Sequence, residues 1–457
     1  MQPMSITRMA QTLILMLSAS ILLAQGSPAA ACHIENADYA GWKSVRLANE
    51  WVTLDIVPQL GGRLMQVTFG GHEYLFVNPQ LKGRYFPPEV SAAQKRWFNY
   101  GGDKIWPMPE GGGDEQHWPG AAGEPLDDGP FTLEIVRQDA TCAVRLAGPP
   151  DSLIGQQYTR EISITAGSPS ISFHAVMKNI SGYPQAWSEQ SVSQYNTADA
   201  QNPAQPNSAL WGITPVNPQS AYLNSFHVRT GQASTPGYSV RDGQFAVHAG
   251  NAGGEVWIDS PGEWLAVVDG AANYTMVERF RYRKGAEYPG QATVIFYTTG
   301  QSRRGPAAPP PADAAQPAIH YMEAELNSPI VKLDPDETYA MDTQWFPTRM
   351  GSDFKTVTYA GVVGRPLSAS GSGSGIAVSG EFGVFFPGQL ELRFYDRGGA
   401  RLGTAAAGSA TPLETVDLAR TVPAPDGTTR VSLHLIDRQG LDRGPLGETT
   451  VIPANPQ

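Results

Sequence analysis

Apolar residues in this chain recur at every second position, and after Ala31 no stretch keeps an apolar i, i+3, i+4, i+7 stripe for three turns. Val52, Leu54 and Ile56 alternate with Thr53 and Asp55, and Phe131, Leu133 and Ile135 alternate with Thr132 and Glu134. Ile162 and Ile164 lead into Gly167-Ser168-Pro169, and Ile171 and Phe173 lead out of it, a hairpin pattern. Further strands are predicted over Glu255–Asp259, Trp264–Asp269, Gln291–Thr298 and Ile319–Asn327. Alternation of this kind requires sheets with one face covered, so the predicted class is all-β, with strands in packed sheets. The 49 glycines and 38 prolines among 457 residues agree with many turns and few helices.

A net charge of −11 repels phosphate backbones, which argues against nucleic acid as a partner. Residues 1–31 read as a secretory signal: Arg8 is followed by the apolar run Leu13 to Ala24, too short to span a bilayer, and by Ala29-Ala30-Ala31. The expected address is therefore periplasmic or secreted, and no later segment is apolar enough for a membrane helix. Cleavage after Ala31 leaves Cys32 first, which raises the alternative of a lipid anchor on Cys32 and an outer-envelope lipoprotein. The other cysteine is Cys142, so a Cys32–Cys142 disulfide is the candidate pairing in an exported chain. A bridge across so long a loop stabilises by up to about 4–5 kcal/mol in the chain-entropy picture; a lipidated Cys32 could not pair.

Two low-complexity segments break the pattern. Arg303 to Pro317 is Pro/Ala-rich and reads as a solvated insertion between strands. Ser368 to Gly375 reads as a flexible linker, which divides the mature chain into a main domain over 32–366, a linker over 367–378 and an accessory domain over 379–457. In the tail, Leu390–Tyr395 runs into Asp396-Arg397-Gly398-Gly399 and Val431–Ile436 into Asp437-Arg438-Gln439-Gly440, as hairpins of a small β-sandwich would.

The 8 histidines are scattered without metal-ligand spacing, and no phosphate-binding or nucleophile-elbow motif is present, so neither metal nor cofactor is expected. Chemistry gathers instead in Asn99-Tyr100-Gly101-Gly102-Asp103-Lys104-Ile105-Trp106-Pro107-Met108-Pro109 and the nearby His117-Trp118-Pro119. Gly and Pro mark this segment as an ordered surface loop. Flat rings beside hydrogen-bonding groups suit a sugar: Trp106, Trp118 and Trp97 to stack, and Asn99, Asp103, Lys104 and Arg63 to take hydroxyls or a uronate carboxylate. The same rings suit a loop that merely plugs a sheet edge.

In Ile319–Asn327, Met322, Ala324 and Leu326 share one strand face, and Tyr321, Glu323 and Glu325 the other. Glu323 and Glu325 then stand roughly 6.5–7 Å apart, close enough for repulsion to raise one pKa and supply an acid or base. An ordinary solvent-facing strand has the same pattern. Trp187-Ser188-Glu189-Gln190 and Ser193-Gln194-Tyr195 form a second polar cluster, with Glu189 and Gln194 as candidate contacts.

Val57-Pro58-Gln59-Leu60-Gly61-Gly62-Arg63-Leu64, the Asn99–Pro109 motif, and Tyr321–Pro329 with Leu333-Asp334-Pro335-Asp336-Glu337-Thr338 and Trp345 occur in this order. Together, across roughly residues 40–350, they resemble a family of bacterial domains of unknown function within the galactose mutarotase-like, or aldose 1-epimerase-like, superfamily. The resemblance implies an antiparallel β-supersandwich with a sugar-binding face. In the epimerases a glutamate is the base at the anomeric hydroxyl and a histidine the acid at the ring oxygen. Glu323 or Glu325 best matches the glutamate. The place of the histidine is taken by Ala186-Trp187-Ser188-Glu189-Gln190, which leaves His117 as the candidate acid. The expected function is an exported protein binding a mono-, oligo- or polysaccharide. The alternatives are a metal-independent sugar-active enzyme (epimerase, polysaccharide lyase or glycoside hydrolase) and a non-catalytic envelope scaffold.

Overall fold

The computed structural model describes residues 31–111, 117–231, 237–250, 253–299, 319–372 and 375–453. The signal-peptide and Pro/Ala-insertion expectations fall on residues 1–30 and 303–317, outside the described residues.

The chain is all-β. Among the described residues, three sheets of twelve, ten and eight strands carry it, and the α-helices are the short Pro88–Gln94 and Pro125–Asp128. In the twelve-stranded sheet, Arg63–Phe69, Asp103–Met108, Gln185–Asn196, Tyr321–Asn327, Val294–Thr298 and Gly254–Ile258 lie side by side in that order. The ten-stranded sheet holds Thr141–Ala147, Gln156–Thr165, Ile171–Asn179, Thr338–Arg349, Tyr274–Arg279, Trp264–Asp269 and Leu210–Pro215. These two sheets close on one core. Phe69, Val256, Phe296, Met322, Ala324 and Leu326 come from the first, and Ile162, Phe173, Val267, Met276 and Trp345 from the second. Cys32, beside one edge strand of the first sheet, is bonded to Cys142 of the second (S–S 2.09 Å) across 110 residues of chain.

The ten-stranded sheet is covered on both faces. Along Trp264–Asp269, Leu265 and Val267 join the first core, while Trp264, Ala266 and Val268 join a second. That second core is completed by the third sheet, through Val362, Phe382, Phe385, Leu392 and Leu433. Phe346 and Phe385 stack across the junction with ring centroids 4.8 Å apart. A strand between two apolar layers loses its polar alternation, which is why Trp-Leu-Ala-Val-Val is a continuous apolar run.

Two expectations are corrected here. The flexible linker over 367–378 is instead the paired strands Gly361–Ser372 and Gly375–Val384, whose register runs from Gly361↔Val384 to Ser372↔Gly375. Small residues there suit close strand packing against Leu446 and Phe382 rather than a tether. The Asn99–Pro109 loop contains the inner strand Asp103–Met108, bonded to Gln185–Asn196. Its glycines act before the strand begins: Gly101 and Gly102 have φ of 94° and 76°, and a Cβ on Gly102 would come within 2.7 Å of the Leu64 carbonyl oxygen. That positive-φ turn, which other residues adopt only with strain, delivers the chain into the sheet.

Candidate functional site

Strand parity decides which polar groups can meet a ligand. On the inner strands of the first sheet, alternate side chains enter the core and the rest stand on the opposite, outer face. The outer set comprises Lys104 and Trp106; Gln190 and Gln194; Glu323, Glu325 and Asn327; Tyr297; and Glu255 and Trp257. Their registers place Trp106 opposite Gln190, Glu323 opposite both Gln194 and Tyr297, Asn327 opposite Gln190, and Glu255 opposite Tyr297. Among the described residues no sheet covers this face, yet Lys104 is only 3% and Glu323 and Glu325 each 7% exposed. They form a polar floor that is nearly closed to water. Trp97, Trp257 and Tyr297 remain partly exposed around it, and Glu110 is exposed at its rim.

The floor is built from amide–carboxylate pairs. Gln194 Nε2 donates to Glu323 Oε1 at 2.6 Å, and Gln190 Nε2 to Glu325 Oε2 at 2.5 Å. Lys104 Nζ lies 3.7 Å from Glu323 Oε1, 4.3 Å from the centre of the Trp106 ring and 5.7 Å from that of Trp97. Both indoles are fixed from behind by one carboxylate: Trp106 Nε1 donates to Asp127 Oδ1 (2.9 Å) and Trp97 Nε1 to Asp127 Oδ2 (2.8 Å). Arg63, wholly buried, donates to the same Oδ1 at 2.6 Å and to the Gly101 carbonyl at 3.1 Å. Trp257 Nε1 donates to Glu255 Oε1.

Burial and crowding set the charge states. Burial, only partly offset by the Glu323 charge, lowers the Lys104 ammonium to about 8. Burial first, and the Glu323 and Glu255 charges next, hold Glu325 well above the ordinary carboxylate range. Glu255 is raised for the same first reason, and Glu110 is raised too, by partial desolvation and then by the charges of Glu255 and Glu323. The recess therefore holds weak acids, a weakened base and hydrogen-bonding amides around one another, a set able to bind hydroxyls and to pass protons.

Of the residues expected from sequence, Glu323, Glu325, Lys104 and Gln194 meet on this floor, with Asn99 at one end beside Tyr321. Trp106 borders the floor, but its ring faces Lys104 and its edge is tied to Asp127. It holds the ammonium and offers little stacking surface, at 7% exposure.

Four expected contacts lie elsewhere. Asp103 points between the sheets and pairs with Arg160, and Ser193 Oγ donates to it at 3.2 Å. Glu189 has the same inward parity, and burial raises its pKa strongly. Arg63 is consumed by Asp127, so it is no clamp for a uronate. Trp118 is completely buried behind Trp106, ring centroids 5.2 Å apart. His117 stands partly exposed in the strap where Trp118 pairs with Glu110. Sequence reasoning missed Glu110, Asp127, Glu255, Trp257, Tyr297 and Asn327, and placed Gln190 in the second polar cluster without giving it a role. The pattern Glu255-Val-Trp257 already carried a polar face, and parity along that strand would have found it.

No family model matches the sequence, and no curated protein matches it. Solved structures similar to this chain include a TPR-domain containing protein from Parabacteroides distasonis (14% identity, 67% of this chain and 47% of that one, TM-score 0.44). This chain thus spans about half the length of that protein. Galactose mutarotase-like proteins from Lactobacillus casei (10% identity, 66% of this chain and 99% of that one, TM-score 0.44) and Clostridium acetobutylicum (11%, 70% and 99%, TM-score 0.43) are also similar.

Proposed function

We propose that this is a carbohydrate-binding protein of the galactose mutarotase-like kind, exported from the cell, with the outer-face recess as its sugar site. One observation carries the reading: partly exposed rings (Trp97, Tyr297, Trp257) surround a floor of paired carboxylates, amides and one ammonium. Rings cover the apolar face of a pyranose, and the floor groups match its hydroxyls. A panel of labelled mono-, oligo- and polysaccharides tests it against wild type and Tyr297→Ala. Retention by wild type that is lost in the variant is expected. Equal retention by both, or retention by neither, removes the reading.

A second reading, a sugar-active enzyme, has its own support in the 3.7 Å between Glu323 Oε1 and Lys104 Nζ. The anomeric hydroxyl and the ring oxygen share one carbon, so a proton acceptor and donor this close suit transfer between them. In that reading Glu323 is the base, and Lys104, in place of His117, is the acid. Polarimetry of anomer equilibration on common aldoses tests it; rates equal to buffer for every sugar end it.

A further inference from the structure

The recess is unbalanced in both charge and hydrogen bonding. Glu110, Glu255 and Glu325 each feel the charge of others in the set, that of Glu323 included. Against these four stand Lys104 and, over the Trp257 ring at 5.7 Å, Arg229, with His227 beside the same ring. Acceptors are also left over. Gln194 Oε1 and Asn327 Oδ1, both on residues at least 98% buried, receive no hydrogen bond within the protein, and Lys104 Nζ, on the same floor, donates none. Arg63, the other guanidinium near the floor, is committed to Asp127. The unmet demand is for a ligand that brings several donors and positive charge, together with an oxygen for Lys104.

We infer that the recess takes an amino sugar, its ammonium among the carboxylates of the Glu255 side and a hydroxyl or ring oxygen on Lys104 Nζ. The assignment rests on the carbohydrate reading of the recess and narrows it. An ammonium supplies three donors and cancels part of the crowded negative charge, which a neutral hydroxyl cannot do. A uronate meets the opposite field and has no free guanidinium to receive it. Glu110 and Glu255 sit at or near the rim, where a substitution leaves the core packing intact.

Titration calorimetry on the full chain decides it, with glucosamine and galactosamine, their parent hexoses glucose and galactose, and the corresponding glucuronic and galacturonic acids. At least one amine is expected to bind about tenfold or more tighter than its parent hexose, as a charge-assisted hydrogen bond gives, and the uronates weakest of all. Glu255→Gln and Glu110→Gln should each shrink the amine-to-hexose ratio severalfold. A hexose that binds as well as its amine, a uronate that binds best, or a ratio unmoved in both variants overturns the amino-sugar assignment while the sugar site stands. No binding by any of the six sugars overturns the assignment; the wider glycan panel then judges the site itself.

Discussion

Lys104 Nζ stands 3.7 Å from Glu323 Oε1 with an indole at its back, almost wholly removed from water. Burying an ammonium costs more than a 3.7 Å pairing returns, as its lowered pKa records. Replacing it with methionine, of similar volume, should leave the unfolding midpoint level or raised. It should also weaken sugar binding by about ten- to a hundredfold, since a charged hydrogen bond contributes about 1.5–3 kcal/mol. Denaturant melts and calorimetry on Lys104→Met check both halves; a variant that unfolds early yet binds normally reverses the assignment.

Asp127 is the common acceptor for Arg63, Trp97 and Trp106. Asp127→Asn leaves the fully buried guanidinium without a counter-charge, and a broken buried pair costs about 3–5 kcal/mol. The expected result is a lower urea midpoint together with altered Trp fluorescence. Arg63→Met with Asp127→Asn should recover part of the loss.

Between the two sheets, Tyr195 donates to Glu278 at 2.6 Å, and burial raises the Glu278 carboxyl to about 8 from an ordinary 4.5. The folded chain therefore holds this proton across a window in which the unfolded chain has lost it. Its stabilising contribution is complete below the unfolded pKa and falls as pH rises through about 8. Urea midpoints should decline from mildly acidic to mildly alkaline pH, and Glu278→Gln, which cannot ionise, should flatten that decline.

The Cys32–Cys142 bond closes a loop of 110 residues. Cys142→Ser, or reduction, should lower stability by about 4–5 kcal/mol. Intact mass and thiol titration of material exported from cells test the bond directly: no free thiol and no lipid mass is the expected pair of results.

Phe385 is fully buried against Phe346. Phe385→Ala should cost about 3–5 kcal/mol and lower one shared unfolding transition rather than split it in two. A chain stopped before Gly361 bares Trp264, Ala266, Val268 and Phe346 together and should aggregate.

Period-two patterning was enough to read the class, and the strands at Val52–Val57 and Trp264–Asp269 stand where the alternation or the apolar run put them. The face assignment on Tyr321–Asn327 also agrees, with Met322, Ala324 and Leu326 in the core and Glu323 and Glu325 outside. What sequence obscured was the strand within the motif. Read as a loop, Asp103 and Lys104 could both face a ligand; on a strand they are neighbours of opposite parity, and only Lys104 stands on the outer face. Glu189 and Gln194, five residues apart, divide in the same way. Ser368–Gly375 misled because small polar residues serve a tight strand pair as well as a tether, and only the apolar partners across the sheet distinguish the two. Asp127 was invisible because its partners come from segments 21 to 64 residues away.

The stacking of three layers gives the molecule a front and a back. The C-terminal roll lies behind the middle sheet, and the face proposed to bind sugar belongs to the sheet on the other side. A molecule tethered to a bead, a wall or a partner through the outer strands of that roll would present its recess to the surrounding medium, whereas attachment near the indole rim would shut it.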